Sequence, residues 1–134
     1  MFEFQSVQTK IGLLVGRDAI FLNEYRSNGH ELTVEGEFSG TLASEGKDNY
    51  SYPYIITFSG VQAIKVTELD AYESSTSSEG WSPTSFDQVV SSAWIKELNT
   101  SMSKINDSDK HFIFQTYDYV FEIICPEYNL EISE

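Results

Sequence analysis

The apolar positions of this chain mostly recur at every second residue, and the longest such run closes it: HFIFQTYDYVFEIICPEYNLEI, His111 to Ile132. With Tyr117-Asp118 at the tip of a hairpin, Thr116 faces Tyr119, Phe114 faces Phe121 and Phe112 faces Ile123. All six share one face, because side chains alternate along each strand. The other face pairs Gln115 with Val120, Ile113 with Glu122 and His111 with Ile124. One face is almost wholly apolar and the other mixed, the pattern of a sheet packed on one side. A slip of one residue destroys that match. Tyr-Asp is a poorer turn pair than Asn-Gly, so a longer tip from Thr116 to Tyr119 suits the same register. Pro126 ends or bends the second strand, and Tyr128, Leu130 and Ile132 then alternate with Asn129 and Glu131.

Upstream the same period recurs. Residues 2–9 alternate around Phe2 and Phe4, and IGLLV at 11–15 ends in the turn chemistry of Gly16-Arg17-Asp18. Residues 19–26 are a further strand, and Asn28-Gly29 signals a hairpin into ELTVEGEF, with Leu32, Val34 and Phe38 inward and Glu31, Thr33, Glu35 and Glu37 outward. A two-residue Asn28-Gly29 turn sets Arg26 opposite Glu31. Residues 39–51 are loop-like. YPYIITF and VQAIKVTEL then flank Ser59-Gly60, a second predicted hairpin with Phe58 on Val61 and Ile56 on Ala63. Pro53 belongs at a strand start or on an edge.

Residues 73–85, rich in serine, read as a flexible loop carrying Trp81, either as a tucked anchor or as an exposed contact. A helix is predicted over 86–98, capped by Ser85 with Asp87 in its first turn. Phe86, Val89, Val90, Ala93, Trp94 and Leu98 form its apolar stripe, and Trp94 packs on the sheet. Residues 99–110 return to loop chemistry. The expected fold is therefore mainly β within the α+β class: a twisted antiparallel sheet or β-sandwich of about seven or eight strands, with one amphipathic helix, in a single domain spanning 1–134.

Composition changes this picture in one respect. Eight Lys and Arg face 21 Asp and Glu, a formal charge of −13. Such a field repels nucleic-acid phosphates and anionic lipid and attracts a basic partner, although acidity also serves solubility. The absence of a basic, apolar leader at Met1 and of a long apolar run leads to the expectation of a cytoplasmic protein. The sole cysteine, Cys125, falls on the inward face with Phe121 and Ile123, where it acts as a small hydrophobe.

Candidate chemistry is sparse. His30 sits near a hairpin tip. His111 shares a face with Glu122 within diagonal reach, so a small hydrolase or lyase using this pair is one alternative. Asp48, Asn49, Asp107 and Asp109 in loops suggest a second, a Ca²⁺- or small-ligand-binding sandwich, but the spacing of a calcium loop is missing. Zinc spacing, phosphate-binding glycine loops and nucleophile elbows are missing too, and no cofactor is implied. What remains is a surface. Tyr117, Asp118 and Glu122, at or near the closing hairpin's tip, together with Trp81, are the candidate partner-binding residues, joining contact area to negative steering.

The motif HFIFQTYDYVFEIICPEYNLEI resembles the C-terminal segments of small bacterial domains of the immunity-protein type. The resemblance covers residues 111–132. It implies a non-catalytic cytoplasmic protein that binds and neutralises a partner, often a basic nuclease, and it carries over no individual functional residue. The leading expectation is thus an acidic module that binds a basic protein. Oligomeric state is open.

Overall fold

The structure, a computed structural model, describes residues 3–75, 83–101, 105 and 107–133. Its elements are strands β1 (Glu3–Ser6), β2 (Ile20–Asn28), β3 (Glu31–Ser39), β4 (Ser51–Ser59) and β5 (Ala63–Glu68), helix α1 (Leu69–Ser75), strand β6 (Phe86–Val90), helix α2 (Ala93–Ser101), and strands β7 (Lys110–Gln115), β8 (Tyr119–Cys125) and β9 (Glu127–Ile132). The strands form two antiparallel sheets, ordered β1-β6-β7-β8-β5 and β2-β3-β4-β9. The expected mainly-β architecture holds, with nine strands among the described residues.

The closing hairpin folds in the register its alternation dictates: Phe112 faces Ile123, Phe114 faces Phe121 and His111 faces Ile124. Thr116 locks the tip, its N–H and hydroxyl both donating to the Tyr119 carbonyl. At Pro126 the chain leaves one sheet for the other, and β9 pairs with β4. The inner faces of the two sheets meet in an aromatic core. Phe38 stacks on Tyr54 at 4.1 Å, while Phe114 stands edge-on to Tyr54 and Phe86 at 5.6 and 5.1 Å. Leu32 and Val34 from β3 and Ile56 and Phe58 from β4 join the same core. Each such side chain contributes roughly 1.5–3 kcal/mol of burial. Cys125 lies in this core, as expected, and burial pushes its thiol up to about 12.

Several local expectations fail. Residues 86–90 form a strand between β1 and β7, so the predicted helix over 86–98 is reduced to α2. Phe86 joins the main core and Val89 a second cluster on the sheet's opposite face. A strand buried on both sides shows the same short apolar run as a helix stripe, and Val89-Val90 favours the strand. Ser85 donates instead to the Gly16 carbonyl, and Asp87 is buried in β6, accepting from Thr84. Ser91 takes a left-handed φ of 57°, after which the Ser92 hydroxyl caps α2 by accepting the Ile95 N–H.

The Ser59-Gly60 hairpin does not form. Both sides of β4 are taken by β3 and β9, while β5 pairs with β8 in the other sheet. The first hairpin forms with its turn at Gly29-His30, so Asn28 rather than Arg26 faces Glu31. The 11–15 run makes only isolated bridges, through Gly12, Leu14 and Val15. Of the predicted loop at 73–85, residues 73–75 complete α1, and Trp81 lies outside the described residues.

Both described helices lie against the five-stranded sheet, α1 on β5 and β8 and α2 on β7. There Leu69 and Tyr72 help cover Val89, Ile113 and Val120. The outward positions of the four-stranded sheet are exposed or half-buried.

Candidate functional site

That bare face gathers the acidic side chains. In β3 the inward Leu32, Val34 and Phe38 force Glu31, Glu35 and Glu37 outward. The register aligns Glu24, Glu35, Ile55 and Glu131 in one row across four strands. Arg26, Thr33, Thr57 and Asn129 form the next row, and Asn28, Glu31, Ser59 and Glu127 the one after. Six glutamates (24, 31, 35, 37, 127 and 131) thus share the face with Arg26, which reaches Glu35 at 3.7 Å and Glu24 at 3.9 Å. Glu24 and Glu35 stand directly opposite each other. Their shared hydrogen bond, and then the charge of Glu35, hold the Glu24 carboxyl above its ordinary value despite Arg26.

One end of this face borders an aromatic corner. Phe21, opposite Glu37, packs on Tyr117 of the closing tip at 5.8 Å, and Tyr25 meets Tyr119 at 6.3 Å and Phe121 at 5.0 Å. Phe21, Tyr25, Tyr117 and Tyr119 are nevertheless 43%, 43%, 47% and 38% exposed. The tip is tied to β2 by the Tyr117 N–H on the Ile20 carbonyl, and to α1 by the Leu69 N–H on the Asp118 carbonyl. Between tip and helix lies an open cleft of about 470 Å³ that includes Arg17, Glu68, Asp70 and Asp118. Arg17 and Asp70 approach to 3.6 Å.

Glu122 belongs elsewhere, with His111, on the other face of the hairpin. His111 Nε2 lies 2.9 Å from the Glu122 carboxylate, and Nδ1 lies 2.8 Å from the Ser92 hydroxyl. One orientation satisfies the chain. The Ile95 N–H donates to the Ser92 oxygen, that hydroxyl donates to Nδ1, and Nε2–H donates to Glu122. Trp94, half-buried, sets its ring edge-on to His111 at 5.2 Å, and Lys65 Nζ sits 4.2 Å above the Trp94 ring. The serine–histidine–carboxylate order matches that of a nucleophile triad. Here, though, the serine is buried and committed as a helix cap, and neither this cleft nor one beside β1 and β6 is lined by these three residues. The network fastens α2 to its sheet.

The structure therefore sets Phe21 against Tyr117 and Tyr25 against Tyr119, neither Phe21 nor Tyr25 being a sequence candidate, places Asp118 beside Tyr117 and Tyr119 in the cleft, and separates all of these from Glu122. Ser92 was missed as well, although a serine directly before AWIKEL is a cap signal. Asp48 accepts from the Thr41 hydroxyl, and the described residues form no group of three or more His, Cys, Asp or Glu able to hold a metal. None of their helices is long and apolar enough to cross a membrane. No protein-family model, curated protein or solved structure matches the chain.

Proposed function

We propose that this protein is an acidic interaction module of the immunity or inhibitor type, which binds a basic protein such as a toxin in the cytoplasm and is not itself a catalyst. The observation that carries this reading is the uneven placement of charge. The five-stranded sheet is covered by helices, whereas the four-stranded sheet presents six glutamates and one arginine to solvent. A face of that kind steers a basic surface into encounter and disfavours phosphate backbones and anionic lipid.

Neutralising the face tests the reading. Affinity capture from the native host at low salt is expected to retain a basic protein on the wild-type chain. The quadruple variant Glu31→Gln, Glu35→Gln, Glu37→Gln, Glu131→Gln should lose it, as should the wild type at high salt. Equal retention by both chains would refute the reading.

A further inference from the structure

We propose that the aromatic corner at the closing tip is an anchor site for an arginine side chain of the basic partner. The inference rests on the interaction-module reading and adds the residue class that the partner inserts. Its first support is apolar. Four aromatic rings stay more than a third exposed while touching one another in pairs, Phe21 with Tyr117 and Tyr25 with Tyr119. Clustered exposed aromatics mark contact sites, because they supply large rigid area at low entropic cost. The second support is the cleft beside them, where Tyr117 and Tyr119 adjoin Glu68, Asp70 and Asp118.

Among the described residues that line the cleft, the carboxylates of Glu68, Asp70 and Asp118 stand with one cation, Arg17. Glu68 is partly committed, accepting the Ala71 N–H. The Asp118 carboxylate has no hydrogen-bond or ion-pair partner among the described residues, because the tip is held by Asp118 backbone atoms instead. A planar guanidinium suits this setting better than an ammonium: it stacks on a tyrosine ring while forking to a carboxylate. Arg17 shows that the cleft already tolerates one guanidinium, 3.6 Å from Asp70.

The test is a ¹⁵N-detected NMR titration of the full chain with N-acetyl-arginine amide, and in parallel with N-acetyl-lysine amide. Saturable shifts are expected at Leu69, Asp118 and Tyr119 with the arginine probe, and binding several-fold weaker with lysine. Asp118→Asn and Tyr117→Ser, both at exposed positions, should abolish the arginine shifts while leaving the remaining spectrum superimposable on the wild type. Arginine shifts confined to Glu31, Glu35 and Glu131 would overturn the anchor while leaving the acidic face in place. Absence of any saturable shift, or equal response to lysine, would overturn it too. Loss of partner capture by the quadruple Glu→Gln variant is read separately, so the two ideas can fail independently.

Discussion

Replacing Gly36 with alanine should destabilise this protein more than any substitution at its exposed glycines, for a reason specific to β2. That strand bulges between Leu22 and Glu24, and the Phe21 carbonyl consequently lies over Gly36. A Cβ at position 36 would stand 1.9 Å from the Phe21 oxygen, 2.8 Å from its carbonyl carbon and 3.1 Å from the Asn23 nitrogen. All three are backbone atoms, so no side chain can swing aside and β2 itself has to shift. The same carbonyl accepts the Tyr54 hydroxyl at 3.1 Å, from a ring held in the core. Forcing the strands apart costs roughly 1–3 kcal/mol, and weakening that hydrogen bond about 1 more. The smaller unfolded-state freedom of alanine returns roughly 0.4–1 kcal/mol. The net loss is about 1–3.6 kcal/mol, and at about 2.1 cal/mol/K per residue it lowers Tm by roughly 4–13 °C. Urea and thermal unfolding followed by tyrosine and tryptophan fluorescence measure both quantities. Gly29→Ala is the control: its site is open and its φ is 60°, so only backbone conformation opposes it, at about 1 kcal/mol. A Gly36→Ala loss no larger than that of Gly29→Ala would refute the reasoning. Because Phe21 rides on the displaced strand, the Tyr117 amide should shift in Gly36→Ala and stay put in Gly29→Ala.

Phe114→Ala removes a fully buried ring that touches Phe38, Tyr54, Phe58 and Phe86, and should cost about 3–5 kcal/mol in urea unfolding. Cys125, its thiol pushed up to about 12, should resist a disulfide reagent at pH 8 in the native protein and react fully in urea. The stability contributed by holding that thiol neutral is present below its ordinary value of 9.0 and lost as pH rises from 9.0 towards 12, which alkaline unfolding measures. Glu24 has the same sign in the acid range. Its raised carboxyl contributes stability below 4.5 that is lost as pH climbs above 4.5, so Glu35→Gln should gain on the wild type between pH 4.5 and neutrality. A pH-independent difference between the two would show that the pair does not share a proton.

Where a strand packs on one side only, alternation identified both the strand and its inward residues. The Leu32, Val34, Phe38 series of β3 was legible in this way. The register of the closing hairpin was legible from its inner face, but its outer face, which the sequence pattern assigns to a sheet packed on one side, is buried as well at His111, Ile113, Val120 and Ile124. Where a strand is buried on both sides the period vanishes, and β6 was read as the start of a helix. Its Phe86 and Val89 point to opposite faces, three residues apart, a spacing that suits a helix equally well. Pairing between strands distant in sequence left no local trace either. Nothing in YPYIITF says that β9 takes the side of β4 that β5 was expected to fill. For the same reason the outward glutamates of β3 were visible, but their alignment with Glu24 and Glu131 was not. The corner was half-visible: Tyr117 and Asp118 stand out at a hairpin tip, whereas Phe21 reaches Tyr117, and Tyr25 reaches Tyr119, only through the fold.

The two outer faces of the sandwich differ because their sequences demand different neighbours. On the hairpin's outer side Ile113 and Val120 need cover, and α1 with its Leu69 and Tyr72 supplies it. On β3 and β9 the outward Glu, Thr and Asn need none; no described helix lies there, and these positions are exposed or half-buried. Phe21 then becomes the hinge of the functional proposal, since it lies opposite Glu37 on the acidic face and packs on Tyr117 at the corner. A long-range attractive field and a short-range apolar contact meet at one residue. These act on different steps of association. Screening by salt weakens the field over about 8–10 Å and slows encounter, whereas stacking on desolvated rings governs how long a complex lasts. For any basic partner, raising ionic strength should therefore reduce mainly the association rate, and Tyr117→Ser should raise mainly the dissociation rate. If added salt instead accelerates dissociation as strongly as the tyrosine substitution does, the acidic face itself holds the partner and the corner has no separate role.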